Sequence, residues 1–142
     1  MTELTLAKAN TIIETAIAKA AELKLKPLGV SVLDSGGHLV AFQRQDGASF
    51  LRHEIGAGKA FGALSLGTGS RTVAKNAVER PHFMQGLSGV SGGRVVPVPG
   101  GVLIRAKSGE ILGTVGISGD TSDNDEAVAI AGIEAAGFTA EG

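Results

Sequence analysis

Between Thr5 and Lys26 apolar side chains return every three or four positions, at Leu6, Ala9, Ile13, Ala16, Ile17, Ala20 and Leu23, while Lys8, Glu14, Lys19 and Glu22 take the other side. That period predicts an amphipathic helix, stopped by Pro27. The pattern then changes. Leu28–Leu33 is β-rich, Asp34-Ser35-Gly36-Gly37 is a turn, and His38–Arg44 returns as an antiparallel partner, forming a first hairpin. After Gln45-Asp46-Gly47-Ala48 a second helix is predicted over Ser49–Leu66, with Ser49 as its N-cap. Ser70–Gly93 keeps no period for long and reads as irregular, with short helical turns such as Pro81–Gln85. Its end, Gly86–Gly93, reads as a mobile loop, a place where function often resides. Within Gly101–Gly119 two apolar strands flank the turn Lys107-Ser108-Gly109-Glu110, a second hairpin. A last helix follows from Ser122 or Asp123 to about Ala136, closed by Gly137. Helices before, between and after two hairpins predict an α+β fold, an antiparallel sheet covered by helices in one domain over 1–142.

Composition sharpens this picture at one point. Glycine supplies 22 of 142 residues, about twice the usual ~7%. The chain is also 43% hydrophobic with four prolines, so the excess reflects close backbone approach and unusual turns, not disorder. Three glycines, Gly56, Gly58 and Gly62, fall inside the second helix, where each costs up to about 1 kcal/mol relative to alanine. Something must pack closely there: another element of the same chain, a flat ligand, or a second subunit. The net charge of −1 lacks the positive excess that draws a protein to a phosphate backbone, so no nucleic-acid partner is expected. Absence of cysteine removes disulfides, thiolate metal sites and a cysteine nucleophile. Met1-Thr2-Glu3-Leu4 carries no basic stretch leading into a long apolar one, and no apolar run approaches the ~20 residues of a membrane span. A cytoplasmic protein without a membrane partner is expected. With no Trp and no Tyr, aromatic stacking falls to Phe42, Phe50, Phe61, Phe83 and Phe138.

Several stretches taken in order carry a resemblance: Val30–Val40, Arg44–Ala48, Gly58–Ala63, Val98-Pro99-Gly100-Gly101-Val102, and Gly113–Gly119 followed by Asp123-Asn124-Asp125-Glu126-Ala127. Together they resemble the GlcG/HbpS family, which includes the C-terminal domain of PduO-type corrinoid adenosyltransferases. The resemblance runs from the first helix to Gly137. It implies a two-layer, profilin-like α+β fold with a five-stranded antiparallel sheet, homo-oligomers from dimers up to octamers, and binding of haem or a related tetrapyrrole. It also implies an alternative, a cofactor-independent lyase of aromatic catabolism that releases ammonia from 4-hydroxylaminobenzoate. A third reading is a structural or regulatory interaction protein. The chain departs from the family pattern at Leu66–Arg71, where many relatives carry a proline-threonine or proline-serine turn. The first helix has no histidine to serve as a haem ligand.

Candidate chemistry is sparse. The side chains able to ligate haem iron are His38, His53, His82, Met1 and Met84. His53 stands out because Arg52 and Lys59, seven residues apart on one helix face, are placed to hold propionates or a substrate carboxylate. The other reading of Arg52-His53-Glu54 is a solvated first turn. His82, after Pro81, is either a loop ligand or solvated, and His38 beside the hairpin turn is expected to be exposed. Lys59 among small residues is either a buried amine of lowered pKa, usable as a base or anion anchor, or a lysine that snorkels to solvent. For the lyase alternative Arg44, Arg52 or Arg71 would bind the carboxylate, and His53, Lys59 or His82 would move protons. Phe61 and the pair Gly100 and Gly101 complete the ligand-binding set for a small, planar, anionic molecule. No resident metal is expected. Asp120, Asp123, Asp125 and Glu126 lack EF-hand spacing and suit the start of a helix. Gly56-Ala57-Gly58-Lys59-Ala60 lacks the first glycine and the Ser/Thr of a phosphate loop.

Overall fold

The computed structural model describes residues 3–142. In chain order its elements are α1 (Leu6–Glu22), β1 (Gly29–Asp34), β2 (Leu39–Arg44), α2 (Arg52–Leu66) and α3 (Ser70–Glu79). Then come α4 (Pro81–Val90), β3 (Gly101–Arg105), β4 (Ile111–Ser118), α5 (Ser122–Ala135) and β5 (Thr139–Glu141). The strands form one antiparallel sheet in the order β2-β1-β4-β3-β5. Both hairpins and the α+β class are as expected.

Strand register gives the sheet two unlike faces, because successive side chains point to opposite sides. Gly29, Ser31 and Leu33 of β1 lie opposite Ser118, Gly116 and Thr114 of β4, and Gly101 and Leu103 of β3 extend the same face. The residues between them, Val30, Val32, Val102, Ile104, Val115 and Ile117, are fully buried against α1 and α5, with Ile12, Ile13, Val128 and Ile133. At about 1.5–3 kcal/mol for each buried aliphatic side chain, that layer is the main source of stability. The small-residue face takes α2. A Cβ at Gly56 would stand 2.9 Å from the carbonyl oxygen of Gly116, and a Cβ at Gly116 would overlap the carbonyl of Gly56, so helix backbone meets sheet backbone directly. Gly58 and Gly62 make room for residues 94–96: the Val96 amide donates to the Gly58 carbonyl at 3.2 Å, and Val95 Cγ1 lies 3.0 Å from a Cβ built on Gly62. The glycines of α2 are thus explained by packing within the chain.

Three expectations need correction. The stretch expected to be irregular holds two ten-residue helices, α3 and α4, separated at Arg80 because Pro81 takes the first helical position of α4. Phe83, Met84, Leu87 and Val90 of α4 recur at helical spacing, but none of its residues is buried and Gly86 and Gly89 inside it disguise the helix. α1 ends at Glu22, before Pro27, where Lys24 turns the chain at φ 57°. Ser49 does not cap α2: Leu51 holds the N-cap position without a side-chain hydrogen bond, and only the Ser49 carbonyl takes part, accepting from the Arg52 amide at 3.2 Å. β5, after Gly137, supplies the fifth strand that the resemblance implies, at a place the residue pattern does not mark; it pairs with β3 at the sheet edge. Among the described residues no helix is long and apolar enough to cross a membrane.

Two alanine substitutions test the backbone contact. Gly116→Ala is expected to lower stability by roughly 2–4 kcal/mol, an overpacking cost with no room to relax. Gly86→Ala, in a helix where nothing lies within 4 Å of the new methyl, is expected to raise it by roughly 0.5–1 kcal/mol. Urea denaturation of both proteins decides; equal and small effects would refute the contact's importance.

Candidate functional site

The first turn of α2 passes over β1 and β2, and a serine in the sheet reaches up to it. Ser31 is fully buried, and its hydroxyl lies 3.2 Å from His53 Nδ1. Phe42, the ladder partner of Ser31 on β2, places its ring 4.6 Å from the imidazole centroid at an interplanar angle of 56°. One hydrogen bond and one aromatic contact hold the ring on the side of the sheet where β2 projects beyond α2. A histidine held through one nitrogen keeps the other for a ligand, proton or metal.

His53 lines a cleft of about 490 Å³, within the range of small-molecule sites. Its walls come from three segments: Leu33, Gly37 and Leu39 of the first hairpin; His53, Glu54, Ile55, Ala57, Gly58 and Phe61 of α2; and Gly93, Arg94 and Val96 of the strap before β3. Arg94 lays its guanidinium 4.0 Å from the centroid of Phe61, and its Nε donates to the Ser91 carbonyl at 3.0 Å. The cleft is apolar except for His53, Glu54 and Arg94. Of the expected site residues it gathers His53 and Phe61. Arg94 was missed, because its contact with Phe61 joins positions far apart in the chain and no local pattern marks it.

The other candidates lie elsewhere. Lys59 is buried on the opposite side of α2, where its ammonium donates to the Ile117 carbonyl at 2.8 Å and to Asp125 Oδ2 at 3.1 Å. Burial pulls its pKa below the usual lysine value, and burial likewise pushes the Asp125 carboxyl up. Of the two readings of Lys59, the buried amine is correct and the snorkelling one is not. Arg52 shares that direction, its Nη1 donating to Ser118 Oγ at 2.9 Å, so the pair expected to face a ligand faces the sheet. Gly100 and Gly101 also belong to this packing. A Cβ on Gly100 would stand 2.9 Å from Lys59 Nζ, and the Gly101 amide donates to the buried Ser70 hydroxyl at 2.7 Å. Arg71 is held on the surface by Asp123 at 2.5 Å and Glu126 at 3.1 Å, which raise its pKa. Arg44 lines a different hollow, beside the end of α1, and His82 is exposed on α4. His38 is exposed as expected, Met84 lies in a groove with Ala77 and Pro97, and Met1 lies outside the described residues. The acidic run is divided among other partners: Asp120 accepts from the Lys26 and Thr121 amides, while Asp123 and Glu126 bind Arg71. Among the described residues no three His or acidic side chains are grouped to hold a metal ion.

Comparison with known proteins agrees with this architecture. The family model described as haem degrading protein HbpS-like matches residues 4–134. An uncharacterized 15.0 kDa protein in the dhaT-dhaS intergenic region of Citrobacter freundii is 32% identical over 126 residues, covering 89% of this chain and 87% of that protein. Among solved structures, a PduOC:heme complex superposes with a TM-score of 0.86 at 24% identity, covering 99% of each chain. A double mutant of Streptomyces reticuli HbpS superposes with a TM-score of 0.81 at 27% identity, covering 94% of this chain and 87% of that one.

Two variants test this geometry. Lys59→Met leaves the Asp125 carboxylate buried without its cation and is expected to cost about 3–5 kcal/mol at pH 7. In that variant Asp125, its pKa already raised by burial, holds its proton more tightly folded than unfolded. Stability therefore falls as pH rises above the unfolded carboxylate value of 3.8, and the deficit against wild type is smaller at pH 5 than at pH 7. Denaturation at the two pH values reads this out, and a pH-independent deficit would contradict it. Ser31→Ala is expected to leave the His53 ring a mixture of tautomers in nitrogen-15 spectra where wild type shows one.

Proposed function

The chain belongs to the HbpS-like family, and we propose that it is a homo-oligomeric protein that binds haem or a related tetrapyrrole in the cleft beside α2. The observation that carries the reading is His53: an imidazole held by Ser31 through Nδ1, within apolar walls that include the Phe61 ring. The residues present fit the group. Histidine is a common axial ligand of haem iron, and Leu33, Leu39, Phe61 and Val96 offer the apolar surface that a porphyrin requires. Haem, when bound, supplies redox and ligand-binding chemistry at its iron. The chain supplies the imidazole, its orientation, and walls that exclude water. Support also comes from the family description, which names haem degradation, and from the relative named as a heme complex.

Support for an oligomer comes from α4 and its neighbour α3. No residue of α4 is buried, and Val78 and Val90 are 82% and 86% exposed. A second copy covering these helices would account for the apolar side chains left in water.

A second reading uses the same cleft. His53 and Glu54 both line one end of an apolar cleft, and an imidazole and a carboxylate there suit proton transfer to a small aromatic acid. Lys59 and His82 do not reach that cleft, so the lyase alternative rests on His53 and Glu54. Ammonia release from an aryl hydroxylamine tests it directly.

Haem titration tests the leading reading. A saturable Soret band at one haem per chain is expected, shifted or lost in His53→Ala, with Arg44→Ala unchanged. A His53→Ala spectrum identical to wild type would exclude His53 as the ligand. Sedimentation is expected to show an oligomer that Val78→Glu combined with Val90→Glu reduces to monomer; a monomeric wild-type protein would refute the assembly.

A further inference from the structure

The charges on the cleft are separated along the helix. Glu54 and His53 lie at its N-terminal end, whereas Phe61, which carries Arg94 on its ring, lies seven residues further on. At 1.5 Å per residue the two ends are about 10 Å apart along the axis. Arg94 is positioned by three independent features. Gly92 and Gly93 turn the chain at φ 73° and 76°, the Ser91 carbonyl holds Nε at 3.0 Å, and the Phe61 face lies under the guanidinium at 4.0 Å. With Nε held, the two terminal nitrogens remain as a parallel pair of donors, the geometry that grips a carboxylate. No Asp or Glu among the described residues lies within salt-bridge distance of them. Arg94, the cation that lines the cleft, is thus left without an acidic partner by the described residues of its own chain.

We infer that Arg94 anchors the carboxylate edge of a planar guest lying against Phe61, and that Glu54 at the far end fixes the guest's direction by repelling a carboxylate there. The inference rests on the proposed use of this cleft and specifies its ligand class: a flat molecule carrying a carboxylate on one edge, with a metal or hydrogen-bond donor toward His53 and Glu54. A tetrapyrrole with free propionates and a smaller amino-substituted aromatic acid share this chemistry. Ordering is inexpensive, because the guanidinium is already stacked and tethered before the guest arrives.

The experiment compares haemin, haemin dimethyl ester and 4-aminobenzoate on wild type and Arg94→Gln, with circular dichroism confirming that the variant is folded. Wild type is expected to bind haemin at least about tenfold more tightly than its ester, as one charge-assisted pair at a partly exposed rim allows, and Arg94→Gln removes that preference. Arg94→Lys is expected to restore only part of it. If haemin and ester lose affinity equally in Arg94→Gln, or neither does, the anchor is wrong while the tetrapyrrole reading stands. If haemin fails to bind but 4-aminobenzoate binds in an Arg94-dependent way, the anchor stands and the tetrapyrrole reading falls. Binding of none of the three overturns both.

Discussion

The structure depends on one close contact, the backbone of α2 lying on the backbone of β4 where Gly56 meets Gly116. A helix normally stands off a sheet by the thickness of the side chains that fill the gap. Here the facing residues are Gly29, Ser31, Thr114, Gly116, Ser118 and Gly101, and the gap nearly closes. Apart from Leu33 and Leu103, the buried aliphatic side chains of β1, β3 and β4 lie on the other face, with α1 and α5, so the molecule has a thick apolar layer on one side of its sheet and a thin layer of mostly small and polar residues on the other.

The thin layer determines the chemistry. Polar groups in it must find partners at short range, since an unpaired buried donor or acceptor costs more than a hydrogen bond returns. Lys59 meets Asp125 and the Ile117 carbonyl, Arg52 meets Ser118, and Ser31 meets His53. The first two cations serve to seat α2. The third pair opens outward, because β2 and the hairpin turn extend past the helix and the strap at 93–96 closes the other flank. The cleft is therefore a by-product of how tightly α2 is seated: a helix raised by one methyl group at Gly56 or Gly116 would carry His53 away from Ser31.

Much of this was legible in the chain. The three- and four-residue spacing of Leu6, Ala9, Ile13 and Ile17 marked α1, the turns at Asp34–Gly37 and Lys107–Glu110 marked both hairpins, and the glycines of α2 signalled close packing. His53 and Phe61 were legible as candidates, His53 because few side chains of the chain can ligate iron and Phe61 because it is one of five aromatic rings, and the structure sets both on the same cleft. Less legible was the direction in which each cation points. Arg52 and Lys59 do share a helix face, but helical spacing does not say which side meets the sheet, and the small residues on β1 and β4 decide that question. α4 was hidden for a different reason: Gly86 and Gly89, poor helix formers, interrupt the helical spacing of Phe83, Met84, Leu87 and Val90. Arg94 escaped notice because its role arises from a turn that returns it over Phe61, a contact across thirty-three positions that no local pattern records.

A guest lying between His53 and Phe61 on the outer side of α2 would broaden the backbone amide signals around it when substoichiometric paramagnetic haemin is added. Leu39, Ala57, Gly58, Phe61 and Gly93 are expected to lose intensity first, with Arg44, Arg71 and His82 little affected. Broadening centred on the hollow beside Arg44 or along α4, with the α2 cleft untouched, would contradict that placement.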